Sequence, residues 1–155
     1  MMVLSNNKII IREARLSDST RLASLMSELG HPISNEDMLH NLNIYLANPM
    51  TKIFVAESDS QVVAMISLII FPLINRVTNY ARISSLIVST TERSRGIGGM
   101  LLEYTEAYAI RNKCDKIELT SGLHRSQTGA YEFYRERGYK SDQTTYFIKK
   151  LEGIE

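Results

Sequence analysis

The chain has 155 residues, of which 44% are hydrophobic and 23% charged, with a formal net charge of +1. That length suits one domain, residues 1–155 with a core of about 9–151, and the near-neutral charge removes any bulk electrostatic case for nucleic acid. The single cysteine, Cys114, excludes an internal disulfide and fits a reducing, cytoplasmic compartment, and no signal-peptide core or apolar run of membrane length is present.

In chain order, Lys8 to Arg12 reads as a first strand. Ser17 or Asp18 can cap a helix running to about Leu29, whose apolar residues Leu22, Leu25, Met26 and Leu29 recur at helical spacing, and Gly30 supplies its left-handed stop. Ser34 with Asp37 three residues on starts a second helix, striped by Met38, Leu42, Tyr45 and Leu46 and closed by Pro49. Lys52 to Glu57, Ser58-Asp59-Ser60 and Gln61 onward form a hairpin signal, its second strand reaching about Phe71 before Pro72. Asn75 to Asn79 is a polar loop, and Tyr80 to Val88 is the next strand. A helix over roughly Gly98 to Asn112 and a short strand, Lys116 to Thr120, complete a βαβ crossover, so strands 82–88 and 116–120 should be parallel. Residues 121–128 make a polar loop, a short helix follows to Arg137, and Tyr139 with Thr145 to Leu151 should form a last antiparallel hairpin. The expected architecture is a mixed, mostly antiparallel sheet with helices on both faces.

The chemistry concentrates in Arg93-Ser94-Arg95-Gly96-Ile97-Gly98-Gly99-Met100, between a strand and a helix. A helix N-terminus carries backbone N–H groups without internal partners and about half a positive charge. Glycines let a ligand approach that backbone, and two arginines add charge that does not titrate. The combination suits a phosphate or pyrophosphate. It is not a P-loop, because Gly98 is followed by Gly99 and Met100 rather than Lys and Ser or Thr. It matches the dinucleotide fingerprint poorly, because Leu101 stands at the third glycine position.

Two stretches together carry a resemblance. Arg93-x-x-Gly96-x-Gly98, after a strand and opening a helix, resembles the acetyl-CoA signature of the GNAT-type N-acetyltransferases. About thirty residues later, Ala130-Tyr131-Glu132-Phe133-Tyr134 with Gly138-Tyr139 resembles that family's A-x-x-F-Y-x-x-x-G-F/Y segment, and the element order matches from Ile9 to Leu151. The chain is similar to small bacterial members acting on low-molecular-weight amines.

The resemblance implies the GNAT fold, with strands 82–88 and 116–120 splaying apart at their C-terminal ends. It implies acetyl-CoA as cosubstrate, with pantetheine along Leu86, Ile87, Val88 and Ser89 and pyrophosphate on Arg95, Gly96, Ile97, Gly98, Gly99 and Met100, beside Arg93. The thioester carbonyl would face a backbone N–H near Ile87 or Val88, and Tyr134 would protonate the leaving thiolate. Many members carry a glutamate on the glycine-feeding strand as base, where this chain has Ser84-Ser85. An alkylammonium is only roughly one part in two thousand neutral at pH 7, so a proton acceptor is wanted. Glu118, His31, His124 or a water chain could serve. Gln127 stands where relatives often place an asparagine against pantetheine. The expected function is acetyl transfer to a primary amine of a small molecule, by a cytoplasmic protein, a homodimer by family habit and by its long apolar strand 62–71, without metal, membrane or nucleic acid. A non-catalytic acyl-CoA sensor on the same scaffold is the alternative.

Overall fold

A computed structural model describes residues 8–93, 95–121 and 129–153. It falls into two compact units, residues 1–119 and 120–155. In the first, five strands, β1 (Ile9–Glu13), β2 (Thr51–Ser58), β3 (Gln61–Pro72), β4 (Asn79–Val88) and β5 (Cys114–Glu118), form one sheet in sequence order. The first three junctions are antiparallel and the β4–β5 junction is parallel, as a strand–helix–strand crossover requires. The helices are α1 (Ser19–Glu28), α2 (Asn35–Ala47) and α3 (Ile97–Arg111). No helix among the described residues is long and apolar enough to cross a membrane.

Local chemistry explains most boundaries. The β2–β3 hairpin closes at Ser58 and Gln61, and its two turn residues, Asp59 and Ser60, both have positive φ. That is the backbone of the tight hairpin turn that matches strand twist. Ser34 caps α2 by accepting from the Asp37 N–H at 3.0 Å. Gly30, at φ 88°, takes the left-handed position after α1.

Packing alternates across the sheet. Ile53, Val55, Met65 and Ile87 bury one face against Leu22, Leu25, Met38 and Leu42 of α1 and α2. On the other face Phe54, 1% exposed, meets the rings of Tyr104 and Tyr108 of α3 edge-on at 5.0 and 5.3 Å. β3 is buried on both faces as the central strand. Its apolarity therefore answers to this chain's own core and gives no motive for a dimer.

An ion cluster ties β1, β2 and the approach to α1. The Arg12 guanidinium grips both Asp18 oxygens, at 2.8 and 2.9 Å, and donates to Glu57 Oε1 through Nε and Nη2 at 2.9 and 2.8 Å. Asp18 also accepts from the Arg15 N–H at 2.8 Å, so its residue serves the turn before α1 rather than a simple cap.

The second unit carries α4 (Ala130–Glu136), which ends before Gly138 at φ 90°. The expected closing hairpin is not formed: residues 139–153 contain no strand. A two-stranded hairpin is marginal without a sheet to join, and the alternation of Tyr146 and Ile148 alone does not supply one.

The hydrogen bond from Arg12 holds the Asp18 carboxyl below its ordinary range, helped by the Arg15 backbone N–H and opposed by burial. Because the folded value lies below the unfolded one, this cluster stabilises fully above the ordinary carboxylate value of about 3.9 and loses its contribution as pH falls through and below it. We expect Asp18→Asn to cost roughly 2–3 kcal/mol at pH 7. The difference from the parent protein should shrink progressively below pH 4 in denaturant titrations, and an unchanged difference at low pH would refute the assignment.

Candidate functional site

The parallel ladder between β4 and β5 is short. It runs from Asn79 opposite Cys114 to Arg82 opposite Glu118, where β5 ends. β4 continues to Val88, paired with β3 alone. Among the described residues, the other edge of Ile83 to Val88 carries no strand.

Pairing with β3 decides which groups this edge presents. The Ser89 N–H donates to Val63 O at 2.8 Å, and Met65 faces Ile87. Antiparallel strands alternate, so Ile87 and Ser89 turn their N–H groups toward β3, while Leu86 and Val88 turn theirs to the open edge. Ile87 and Ser89 are buried, at 2% and 1% exposure. Of Ile87 and Val88, it is Val88 that turns its N–H away from β3.

One residue interrupts β4. Ser67 pairs with Ser85, but Leu68 pairs with Ile83, so Ser84 is the extra residue of a β-bulge. Its hydroxyl lies 2.5 Å from the Ser67 hydroxyl and 3.3 Å from the Tyr45 hydroxyl of α2.

After Ser89 a 3₁₀ turn, Thr90–Glu92, leads toward α3, and Glu28 of α1 accepts from the Thr90 N–H at 3.1 Å. Gly96 is the N-cap of α3, at φ 75°, a left-handed conformation that disfavours any side chain with a Cβ. Ile97, 1% exposed, pins the first turn into the core. The Met100 N–H closes the first helical bond on Gly96 O at 3.1 Å. The N–H groups of Ile97, Gly98 and Gly99 have no partner within the helix, as in any first turn. Arg93 is exposed. Arg95 is engaged: its guanidinium pairs with Glu92 and lies 3.3 Å from Ser58 Oγ. Sequence reasoning counted Arg95 as a full local charge and missed Glu92, three residues before it, as its counter-ion.

The candidate proton acceptors separate. Glu118 is ion-paired with Arg82 across the last parallel pair at 3.2 Å. His31 is exposed in the loop between α1 and α2, where its backbone N–H binds Met26 O. His124 and Gln127 lie outside the described residues. Burial, with the Asp115 charge behind it, pushes the Cys114 thiol up, which keeps it a thiol and a packing residue. In the second unit, Tyr134 sits on α4 with its ring edge-on to Phe133 at 5.1 Å and to Tyr139 at 5.8 Å. Its carbonyl accepts from the Arg137 and Tyr139 N–H groups, which stops the helix.

A strand edge without a neighbour among the described residues, followed by a helix start, offers backbone hydrogen bonds to an extended chain and then to an anion. Comparison with known proteins gives this geometry a family. The acetyltransferase (GNAT) family model matches residues 19–139. No curated protein sequence matches the chain. Among solved structures, a transcriptional regulator from Bacillus halodurans C-125 superposes with a TM-score of 0.83 at 18% identity, covering 92% of this chain and 100% of that one. A GNAT family acetyltransferase of Staphylococcus aureus gives 0.78 at 24% identity, covering 92% and 98%. The aminoglycoside N-acetyltransferase AAC(6')-Iy, in complex with CoA, gives 0.82 at 14% identity, covering 96% and 99%. With the fold and a family match over most of its length, the chain belongs to the GNAT acetyltransferases.

Proposed function

We propose that the protein transfers the acetyl group of acetyl-CoA to a primary amine of a small molecule. The observation that carries this reading is the edge of β4 from Ile83 to Val88, which has no strand beside it among the described residues, one short connection before the first-turn donors of Ile97, Gly98 and Gly99. The pantetheine arm hydrogen-bonds along Leu86 and Val88 as an added strand, with Ile87 and Ser89 shaping the floor behind it. The pyrophosphate takes the α3 donors, with Gly96 setting the turn and Arg93 and Arg95 adding charge once Glu92 releases the latter. Met100 supplies no N–H, and Gln127 retains its expected part at the pantetheine.

The neutral amine attacks the thioester carbon, and the carbonyl oxygen gathers negative charge toward the Val88 N–H. One such fixed donor is worth about 2.7–4 kcal/mol in related hydrolytic chemistry. Collapse breaks the C–S bond, Tyr134 gives its proton to the thiolate, whose own pKa is about 8.5 by analogy with cysteine, and the new amide nitrogen loses its extra proton to solvent, from which Tyr134 recovers one. Holding both reactants in one cleft supplies much of the remaining acceleration. Glu118 is not given the base role, because Arg82 holds its carboxylate. The aminoglycoside acetyltransferase among the structural neighbours supports a small, amine-bearing acceptor, and aminoglycosides are the first acceptors to assay. On this reading the protein works in a reducing cytoplasm, as a homodimer by family habit.

A second reading, a non-catalytic acyl-CoA sensor, is favoured by one observation: the bulge carries Ser84 and Ser85 where many relatives use a carboxylate. Acetyl-CoA binding without release of free CoA in the presence of an amine panel would select it.

Gly98→Asp should abolish most acetyl-CoA affinity by calorimetry. An aspartate in the first helical turn suits the dipole, so the fold should keep its thermal stability while the phosphate meets a negative charge. Unchanged affinity would remove the pyrophosphate from this bend. Tyr134→Phe keeps the ring and deletes the donor, so kcat should fall about 10²- to 10⁴-fold with KM for acetyl-CoA nearly constant. Retention of more than about a third of the rate, with chemistry limiting, would make Tyr134 a packing residue.

A further inference from the structure

The bulge on β4 gathers three hydroxyls from three elements. Ser67 of β3 is 5% exposed, Ser84 of β4 is exposed at the bulge, and Tyr45 of α2 is half-buried with its hydroxyl in an exposed hydrogen bond. The Ser67–Ser84 separation is 2.5 Å and the Ser84–Tyr45 separation 3.3 Å. The bulge makes the meeting. Without an extra residue, a strand alternates its side chains between faces. Here two residues, Ser84 and Ser85, stand opposite Ser67. Met65 and Ile87 place this part of both strands on the side of α1 and α2, which is where Tyr45 lies.

We propose that Ser84, held by Ser67 and Tyr45, binds the acceptor amine and passes its proton to solvent through Tyr45. The proposal rests on the acetyltransferase reading above. A serine hydroxyl has one proton and two acceptor lone pairs. Either hydroxyl of each pair can donate, and the relay uses the polarity in which buried Ser67 donates to Ser84, Ser84 to Tyr45 and Tyr45 to solvent. That polarity leaves one lone pair on Ser84, directed by the other two bonds, for an N–H of the amine. Reversed, the chain would end on buried Ser67, where a proton has no exit.

Ser84 is well placed for this along the strand. It precedes Leu86 by two residues, about 7 Å at the usual strand rise, on the stretch whose outer edge lacks a strand. In the transfer step the amine nitrogen forms its C–N bond to the thioester carbon. The N–H bond to Ser84 breaks and an O–H bond forms there, as the proton of Ser84 moves to Tyr45 and the proton of Tyr45 moves to water. No electron is gained or lost by the chain, and each hydroxyl ends as it began. Ser84 is the catalytic residue of the three; Ser67 and Tyr45 position it and complete the path.

The test uses the full-length protein with acetyl-CoA and a panel of ethanolamine, putrescine, spermidine and aminoglycoside acceptors, following release of free CoA. With the best acceptor, Ser84→Ala should lower kcat/KM for the amine about 100-fold, the bottom of the range for acid–base catalysis, and leave KM for acetyl-CoA within about twofold. Ser84→Thr should restore most of the loss. Tyr45→Phe keeps the ring packing and should lower kcat about tenfold. In mixed H₂O and D₂O the parent rate should depend on deuterium fraction along a curve, as more than one proton moves, and Tyr45→Phe should straighten it. A Ser84→Ala variant with parent kinetics, or a Tyr45→Phe variant with both parent kcat and the same curve, overturns the relay while leaving the acetyltransferase reading standing. A parent protein that releases no CoA with any amine overturns both.

Discussion

Among the described residues, β4 beyond Arg82 has a sheet neighbour on one side only, and that constraint shapes the first unit. Backbone N–H and C=O groups need partners, and an edge that lacks a strand must find them elsewhere. Elsewhere in the first unit the ladder is continuous: β1, β2, β3 and β4 pair in register along their lengths, apart from local irregularities. Among the described residues, β4 is thus the one inner strand that loses a neighbour partway, on the outer side of Ile83 to Val88, while β1 and β5 are the edges of the sheet. The loss falls where β4 leaves for α3, so the same short stretch that offers strand-like hydrogen bonds delivers the chain to a helix start.

The supports on either side hold that edge still. Ile87 belongs to the cluster formed with α1 and α2, and Ser89 is tied to Val63, so the inward-facing residues of the open stretch are fixed by packing and hydrogen bonding. Ile97 anchors the first turn of α3, and Phe54 receives Tyr104 and Tyr108 further along it. Full burial of a side chain such as Ile97 or Phe54 is worth about 1.5–3 kcal/mol and offsets the glycines of the first turn, which have no side chain to pack. The Arg12–Asp18–Glu57 cluster does for the β1–β2 edge what apolar contacts do for the centre. It is well satisfied, with both carboxylates and a backbone donor engaged, and so serves architecture rather than chemistry.

How far the residues disclosed this arrangement depends on the range of the forces involved. The α2 cap at Ser34, the stop at Gly30 and the turn at Asp59-Ser60 were all readable, because each is set by bonds spanning a few residues. The helix at the glycine bend was readable to within one residue for the same reason. The closing hairpin over Tyr139 and Thr145 to Leu151 was not, since alternation supplies strand character but no partner. Arg95 was misjudged as unencumbered because an ion pair depends on side-chain direction, although Glu92 stood at a spacing that allows one.

By itself the sequence determined the order of elements, the glycine-rich helix start and the family signature from Arg93 to Gly98, because local backbone preference and hydrophobic period act within a few residues. Only the tertiary structure decided that Ser84 is a bulge, that Val88 rather than Ile87 turns its N–H outward, and that Glu118 is held by Arg82. Each of these depends on register between strands distant in the chain, and a slip of one residue exchanges the two faces of a strand. The meeting of Tyr45, Ser67 and Ser84 belongs to the same class: the sequence marks Tyr45 as a stripe residue and Ser84 as the place of a glutamate, but their relation exists only once α2, β3 and β4 have packed.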